Sequence, residues 1–66
     1  MLVFVNSKET QIPEGTSVQK LLEILAFAQK RVAVEVNTQL VTKGEWPSVL
    51  LKAGDRIEIV SFVGGG

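Results

Sequence analysis

The chain of 66 residues contains no cysteine and no histidine. Without cysteine there is no disulfide framework, no thiolate nucleophile, no iron–sulfur ligation and no cysteine-based zinc site. Without histidine, the commonest general base and metal ligand is also missing. The hydroxyls therefore have no imidazole with which to form a catalytic triad. These absences predict that the protein has no metal site and is not an independent enzyme.

Net charge and long hydrophobic runs are also lacking. Seven basic and seven acidic residues cancel, and they are scattered, so the sequence has no basic patch of the kind that nucleic-acid binding needs. No apolar run is long enough to span a membrane, and Met1 to Val5 favours a strand over a signal peptide. We therefore expect a cytoplasmic protein that binds neither nucleic acid nor membrane.

Short strand patterns dominate what is present. Leu2 to Asn6 is rich in β-branched and aromatic residues, and Glu9 to Ile12 follows a turn, which predicts an N-terminal hairpin. Val32 to Val36 alternates as a half-exposed strand does, and Gln39 to Val41 is a short return. Arg56 to Val60 predicts the last strand. Between these strands, Trp46 is expected to pack over an edge of the core.

One helix is predicted between the first two strands and the others. Apolar residues recur at helical spacing from Val18 to Ala28, which predicts an amphipathic helix of about three turns. Thr16 is the expected N-cap, and Gln19 three residues later completes a capping box. Lys30 and Arg31 follow at the place where positive charge favours a helix C-terminus.

The order of these elements predicts an α+β fold of the β-grasp, or ubiquitin-like, type. A single amphipathic helix has one apolar stripe, so it packs across one face of a mixed four- to five-stranded sheet. The first and last strands are the natural central partners. Residues 1–62 form the β-grasp domain in this interpretation, and residues 63–66 form a flexible glycine tail.

The period of two along the strands predicts a partner-docking patch on the open face of the sheet. If alternate residues of the first and last strands face the helix, their neighbours face outward, and they are Leu2, Phe4, Val60 and Phe62. A cluster of exposed apolar residues beside the tail indicates a docking surface. The alternative is that Phe62 folds back to cover the edge of the sheet.

The tail from Val63 through Gly64 and Gly65 to Gly66 can reach about 13 Å from the body at 3.3–3.6 Å per residue. Such a thin backbone thread can enter a channel that is too narrow for side chains. The group that remains for chemistry is the carboxylate of Gly66. A partner enzyme can activate it by transfer of AMP from ATP, and a sulfur nucleophile then leaves a thiocarboxylate.

Six stretches of the chain together match a known family in order and spacing, and they are Val5-Asn6, Leu21-Leu22-Glu23, Val32 to Asn37, Val41 with Trp46, Gly54 to Val60 and Phe62 to Gly66. Through them the chain resembles the ThiS family of sulfur carriers of thiamine thiazole biosynthesis over essentially its whole length. This resemblance implies a ThiF-like E1 enzyme that adenylates Gly66 with ATP and magnesium, a cysteine desulfurase that supplies sulfur, and a ThiG-like thiazole synthase that accepts it. The protein itself would bind no cofactor.

Two other functions stay open at this point. A MoaD-like small subunit of molybdopterin synthase also has a β-grasp fold and a Gly-Gly end, but that family typically carries a proline before it. Ser61, Phe62 and Val63 include no proline, which favours the thiazole branch. The remaining alternative is a ubiquitin-like tag or a plain binding module.

Overall fold

The computed structural model describes residues 1–62, which form a five-stranded sheet, one α-helix and one 3₁₀ turn. No helix in this part of the chain is long and apolar enough to cross a membrane. The elements in chain order are β1 (Leu2–Val5), β2 (Lys8–Gln11), α1 (Val18–Ile24), β3 (Val32–Val36), β4 (Gln39–Val41), the 3₁₀ turn (Lys43–Glu45) and β5 (Arg56–Ser61).

The sheet has the strand order β2-β1-β5-β3-β4. β1 and β5 pair in parallel, whereas β1–β2, β3–β4 and β3–β5 are antiparallel. The predicted mixed sheet with the first and last strands at its centre is therefore confirmed, and it has five strands. Since β5 lies between β1 and β3, it joins the two hairpins into one sheet.

The core lies between α1 and one face of the sheet. Alternate residues of β1 and β5 point into it, as the period of two predicts. Trp46 is 3% exposed and belongs to the same cluster, which confirms its predicted packing. The buried apolar residues are Val3, Val5, Ile12, Val18, Leu21, Leu22, Val34, Val41, Trp46, Leu51, Ile57 and Ile59.

The helix is shorter than its apolar spacing predicts, and it ends at Ile24 rather than Ala28. Ala26 has a φ of 65°, in the left-handed region, so the helix cannot continue through it. The amide of Ala26 donates to the carbonyl of Glu23, and that of Phe27 donates to the carbonyl of Leu22 at 2.7 Å. This is a Schellman end, in which the residue after the left-handed one packs back on the helix.

The apolar spacing continued past this end because Leu25 and Phe27 still pack against the core after the helix has stopped. The prediction that Lys30 and Arg31 lie at the C-terminus of the helix is therefore wrong, since the helix ends six residues before Lys30. Both residues belong to the connection that leads into β3.

The predicted N-cap is also wrong, by one residue. Ser17 caps α1, and its hydroxyl oxygen accepts a hydrogen bond from the backbone N–H of Lys20 at 3.0 Å. The hydroxyl of Thr16 is buried and donates to the carbonyl of Pro13. Gln19 bonds Glu23 instead of completing a capping box. Serine and threonine both suit an N-cap. Because the hydroxyl of Thr16 is bonded to Pro13 in the preceding turn, Ser17 caps the helix.

Candidate functional site

β5 leads directly into the segment on which the sequence predictions concentrate. The predicted attachment point, Gly66, and the predicted tail residues Val63, Gly64 and Gly65 all lie outside the described residues. What the structure describes is the base of that segment, which consists of β5, Phe62 and the residues around them.

Both neighbouring strands hold β5 at its base. β3 pairs along most of its length, from Ile57 opposite Val36 to Ser61 opposite Val32. β1 pairs with its first part, where Val5 lies beside Ile57. Beyond the sheet, the N–H of Phe62 donates to the carbonyl of Arg31 at 3.0 Å. Backbone hydrogen bonds therefore fix the chain up to the last described residue.

An asparagine in the first hairpin turn extends the pairing of β1 with β5. Asn6 has a φ of 49° and Ser7 a φ of 70°, so both turn residues are left-handed, as in the two-residue turns that suit twisted hairpins. In this conformation the Asn6 side chain reaches Ile59. The N–H of Ile59 donates to Oδ1 at 2.8 Å, and Nδ2 donates to the carbonyl of Ile59 at 3.1 Å.

A second asparagine repeats this arrangement at the other end of β5. Asn37 and Thr38 form the β3–β4 turn, again with positive φ values of 51° and 71°. The N–H of Arg56 donates to Oδ1 of Asn37 at 3.0 Å, and Nδ2 donates to Asp55 at 2.9 Å. Asn37 thus binds the first residue of β5, and Asn6 binds the fourth. The sequence analysis missed these bonds.

The four predicted docking residues do not form one continuous patch. β1 runs parallel to β5 with Phe4 beside Arg56, and Val60 lies four residues further along. At about 3.3 Å per residue, this separates Phe4 from Val60 by about 13 Å along the sheet. Leu2 is further away, because its carbonyl accepts from the N–H of Gly54.

The outward direction of these side chains is as predicted for the two that lie near the tail. Val60 is 57% exposed and Phe62 is 59% exposed, so Phe62 does not fold back to become buried at the sheet edge. Leu2 and Phe4 are half-buried, and the Arg56 guanidinium lies 5.0 Å from the centre of the Phe4 ring. Their predicted docking role remains a prediction.

Acidic residues occupy the open face between the two apolar pairs. Glu58 lies directly opposite Glu35 across the β3–β5 ladder, and both side chains are exposed. Like charges in this position repel each other. The open face is therefore apolar at each end of β5 and acidic in the middle.

A groove of about 410 Å³ begins at Phe62. One wall is the connection between α1 and β3, and the other is formed by Lys43 and Trp46. The charged residues that line it within the described part of the chain are all basic: Lys30, Arg31 and Lys43. They are three of the seven basic residues of the chain. The sequence analysis missed this groove, because it expected Lys30 and Arg31 at the C-terminus of the helix and had no means of placing Lys43 beside them.

Hydrogen bonds hold the Trp46 side of the groove in place. The indole Nε1 donates to the buried carbonyl of Val41 at 3.1 Å. The 3₁₀ turn before Trp46 begins with a capping box, in which Glu45 accepts from the backbone N–H of Thr42 at 3.0 Å and from its hydroxyl at 2.8 Å. These two bonds lower the pKa of the Glu45 carboxyl.

The described part of the chain offers little chemistry of its own. Within residues 1–62, no group of three or more acidic side chains is arranged to hold a metal ion. The site consists of a rigidly held strand that leads to Phe62. The exposed apolar residues Val60 and Phe62 lie at the end of this strand, and the basic groove begins at Phe62.

Comparison with known proteins decides the family. The sequence model for the ThiS family matches residues 2–66. The chain belongs to the ThiS family. It is 30% identical to the sulfur carrier protein ThiS of Escherichia coli, and the alignment covers the whole of both chains. A crystal structure of the thiamine biosynthesis protein ThiS from Geobacter metallireducens superposes with a TM-score of 0.86 at 33% identity, over the whole of both chains.

The ThiS family is the family of sulfur carriers of thiamine biosynthesis, and the match to a ThiS structure confirms the β-grasp fold. A third relative has a different size. The chain is 39% identical over 66 residues to a thiazole synthase from Magnetococcus marinus, and the alignment spans only 20% of that protein. The chain thus covers about a fifth of the length of that relative.

Proposed function

We propose that this protein carries sulfur on the carbonyl carbon of Gly66 and donates it for formation of the thiazole ring of thiamine. Membership of the ThiS family is the observation that carries this proposal. The absence of cysteine and histidine from the chain supports a role as cosubstrate rather than catalyst. The cytoplasm is the compartment in which we expect it to act.

The chemistry requires two partner enzymes in succession. In a ThiF-like adenylating enzyme, a carboxylate oxygen of Gly66 attacks the α-phosphorus of ATP, with magnesium bound to the nucleotide, and pyrophosphate leaves. A persulfide formed by a cysteine desulfurase attacks the resulting acyl-adenylate and displaces AMP. A thiol then cleaves the sulfur–sulfur bond, which leaves a thiocarboxylate on the carrier and a disulfide on the enzyme side.

The geometry of β5 supports this use of the chain. β1 and the two turn asparagines hold the strand as far as Ile59, β3 pairs with it as far as Ser61, and the Arg31 carbonyl accepts from the N–H of Phe62. A fixed base restricts the positions that the following residues can reach, so that less conformational entropy is lost when they enter an active site. The glycines at 64–66 carry no side chains that would obstruct a narrow channel.

The recipient of the sulfur is a ThiG-like thiazole synthase in this proposal. A relative named thiazole synthase contains a segment that is 39% identical to this chain. Carrier and synthase sequences thus occur together in one polypeptide, which supports their acting as partners. Docking would use the exposed pair Val60 and Phe62 near the base of the tail, and Leu2 and Phe4 at the far end of the open face.

The test is a thiolation assay with the intact protein. Incubation with the adenylating enzyme, ATP, magnesium and a persulfide donor is expected to raise the mass of the protein by the difference between sulfur and oxygen, at Gly66. A variant with one alanine added after Gly66 is the matched control and is expected not to react, while its thermal unfolding stays unchanged. Normal thiolation of the extended variant would exclude the mechanism. Isopeptide-linked adducts on lysines would instead favour a ubiquitin-like tag.

A further inference from the structure

The basic groove beside Phe62 combines the size of a binding site with a concentration of positive charge. Its volume of about 410 Å³ lies within the range of sites that bind ligands or partner segments. Among residues 1–62, three cations line it and no acidic side chain does. The chain as a whole has a net charge of zero, so this clustering gives the groove a positive potential that the protein does not have on average.

One exposed aromatic side chain accompanies the positive charge. Phe62, which is 59% exposed, lines the groove beside Ala28 and Val32, whereas the buried Trp46 contributes only a small part of its surface. Trp46 is fixed by its hydrogen bond to Val41, so this side of the groove is preformed. An exposed phenyl ring beside three cations fits a protein segment that carries both carboxylates and an apolar side chain.

The length of the segment after Phe62 places this groove against a partner. Only four residues extend from Val63 through Gly66, and four extended residues span at most about 14 Å. Any active site that holds Gly66 must therefore bring its own protein surface within about 14 Å of Phe62. The groove begins at Phe62, so its walls lie within the area that the partner approaches.

We propose that this groove, lined by Lys30, Arg31 and Lys43 over Trp46, binds an acidic and apolar segment at the rim of the thiazole synthase active site. This inference rests on the proposed function, in which the synthase is the enzyme that accepts the sulfur from Gly66. It adds a second contact surface, which shares Phe62 with the predicted docking residues, and it assigns the sign of the charge on the partner. The contact is electrostatic in part, so it raises the association rate and depends on ionic strength.

The experiment compares two double charge reversals that change the net charge equally. Arg31→Glu with Lys43→Glu reverses the groove, and Lys8→Glu with Lys52→Glu reverses two exposed lysines outside it. Binding of each full-length variant to the purified synthase is measured by calorimetry at low and high salt. The groove variant is expected to bind at least about tenfold more weakly at low salt, which is about 1.4 kcal/mol. Its binding is expected to strengthen as salt is added, because salt screens the repulsion between the reversed groove and an acidic segment. The control is expected to stay within about twofold of the original protein.

Three further observations separate the possible outcomes. If the groove reversal impairs folding, the double variant Arg31→Gln with Lys43→Gln is compared with the double variant Lys8→Gln with Lys52→Gln. Weaker binding to the synthase in the groove variant alone supports the inference. Equal binding of groove and control variants overturns it, and so does failure of a thiolated original protein to bind the synthase. In either case, normal thiolation by the adenylating enzyme leaves the sulfur-carrier role standing. If the original protein is not thiolated at all, the proposed function falls, and this inference falls with it.

Discussion

Replacement of Asn6 by alanine tests the bond between the first hairpin turn and the base of the tail. The substitution removes both hydrogen bonds to the backbone of Ile59, at 2.8 and 3.1 Å. Each bond contributes about 1 kcal/mol, and Ile59 is buried, so its backbone groups have no easy alternative partner. Alanine also has to adopt the left-handed φ of 49°, which costs about 1 kcal/mol more. We therefore expect Asn6→Ala to lower the free energy of unfolding by about 3 kcal/mol.

Two further variants separate these contributions. Asn6→Asp keeps the acceptor for the N–H of Ile59 but loses the donor to its carbonyl, so it is expected to cost about 1 kcal/mol. Asn6→Gly accepts the backbone conformation freely but makes neither bond, so it is expected to cost about 2 kcal/mol or more. For a domain of this size, about 3 kcal/mol corresponds to a fall in Tm of roughly 12–24 °C.

Urea unfolding followed by fluorescence measures these changes, since Trp46 is the single tryptophan and is buried. Amide exchange at Ile59 gives a local readout, which is expected to accelerate in Asn6→Ala and Asn6→Gly by more than in Asn6→Asp. A cost below about 0.5 kcal/mol for Asn6→Gly, with unchanged exchange at Ile59, would show that the two bonds contribute nothing.

Three other predictions concern the groove and the exposed face. Glu45→Gln is expected to reduce stability near neutral pH, because ionised Glu45 accepts two bonds from Thr42 and its pKa is lowered. The stabilisation that ionised Glu45 provides is complete above the ordinary pKa of glutamate and is lost as the pH falls through the lowered pKa. The unfolding curves of the variant and the original protein are therefore expected to converge in acid. A gap between the curves that persists in acid would contradict this assignment. Trp46→Phe removes the buried bond to Val41 and leaves a small cavity, so circular dichroism is expected to show a loss of about 2 kcal/mol, and a loss no larger than that of a surface substitution would refute the role of the indole. Phe62→Asp is expected to change stability by less than about 0.5 kcal/mol, since the side chain is 59% exposed, but to weaken binding to the adenylating enzyme; marked unfolding would instead place Phe62 in the core.

The fold was predictable because its strands have one buried and one exposed face. In β5, Ile57 and Ile59 alternate with Arg56 and Glu58, and this pattern alone defines a strand and its inner side. The end of α1 was not predictable in the same way. Leu25 and Phe27 flank the left-handed residue Ala26, and both still pack on the core beyond the last helical residue, so the apolar spacing persists where the helix does not.

The site was less predictable than the fold, since it depends on which distant residues meet. Exposure of Val60 and Phe62 followed from the period of two, but the distance between Phe4 and Val60 depends on the parallel register, which no local pattern contains. The same holds for Asn6, whose bond to Ile59 joins residues 53 positions apart. The basic groove likewise combines the connection before β3 with Lys43, and neither stretch is unusual by itself.

The central position of β5 has a consequence for synthesis on the ribosome. While only residues up to about 55 have emerged, the two hairpins have no strand between them and cannot share a sheet. The complete five-stranded sheet therefore forms only after residues 56–61 have left the ribosome. A product that terminates before β5 stays open to proteases, because its two hairpins cannot pair into one sheet.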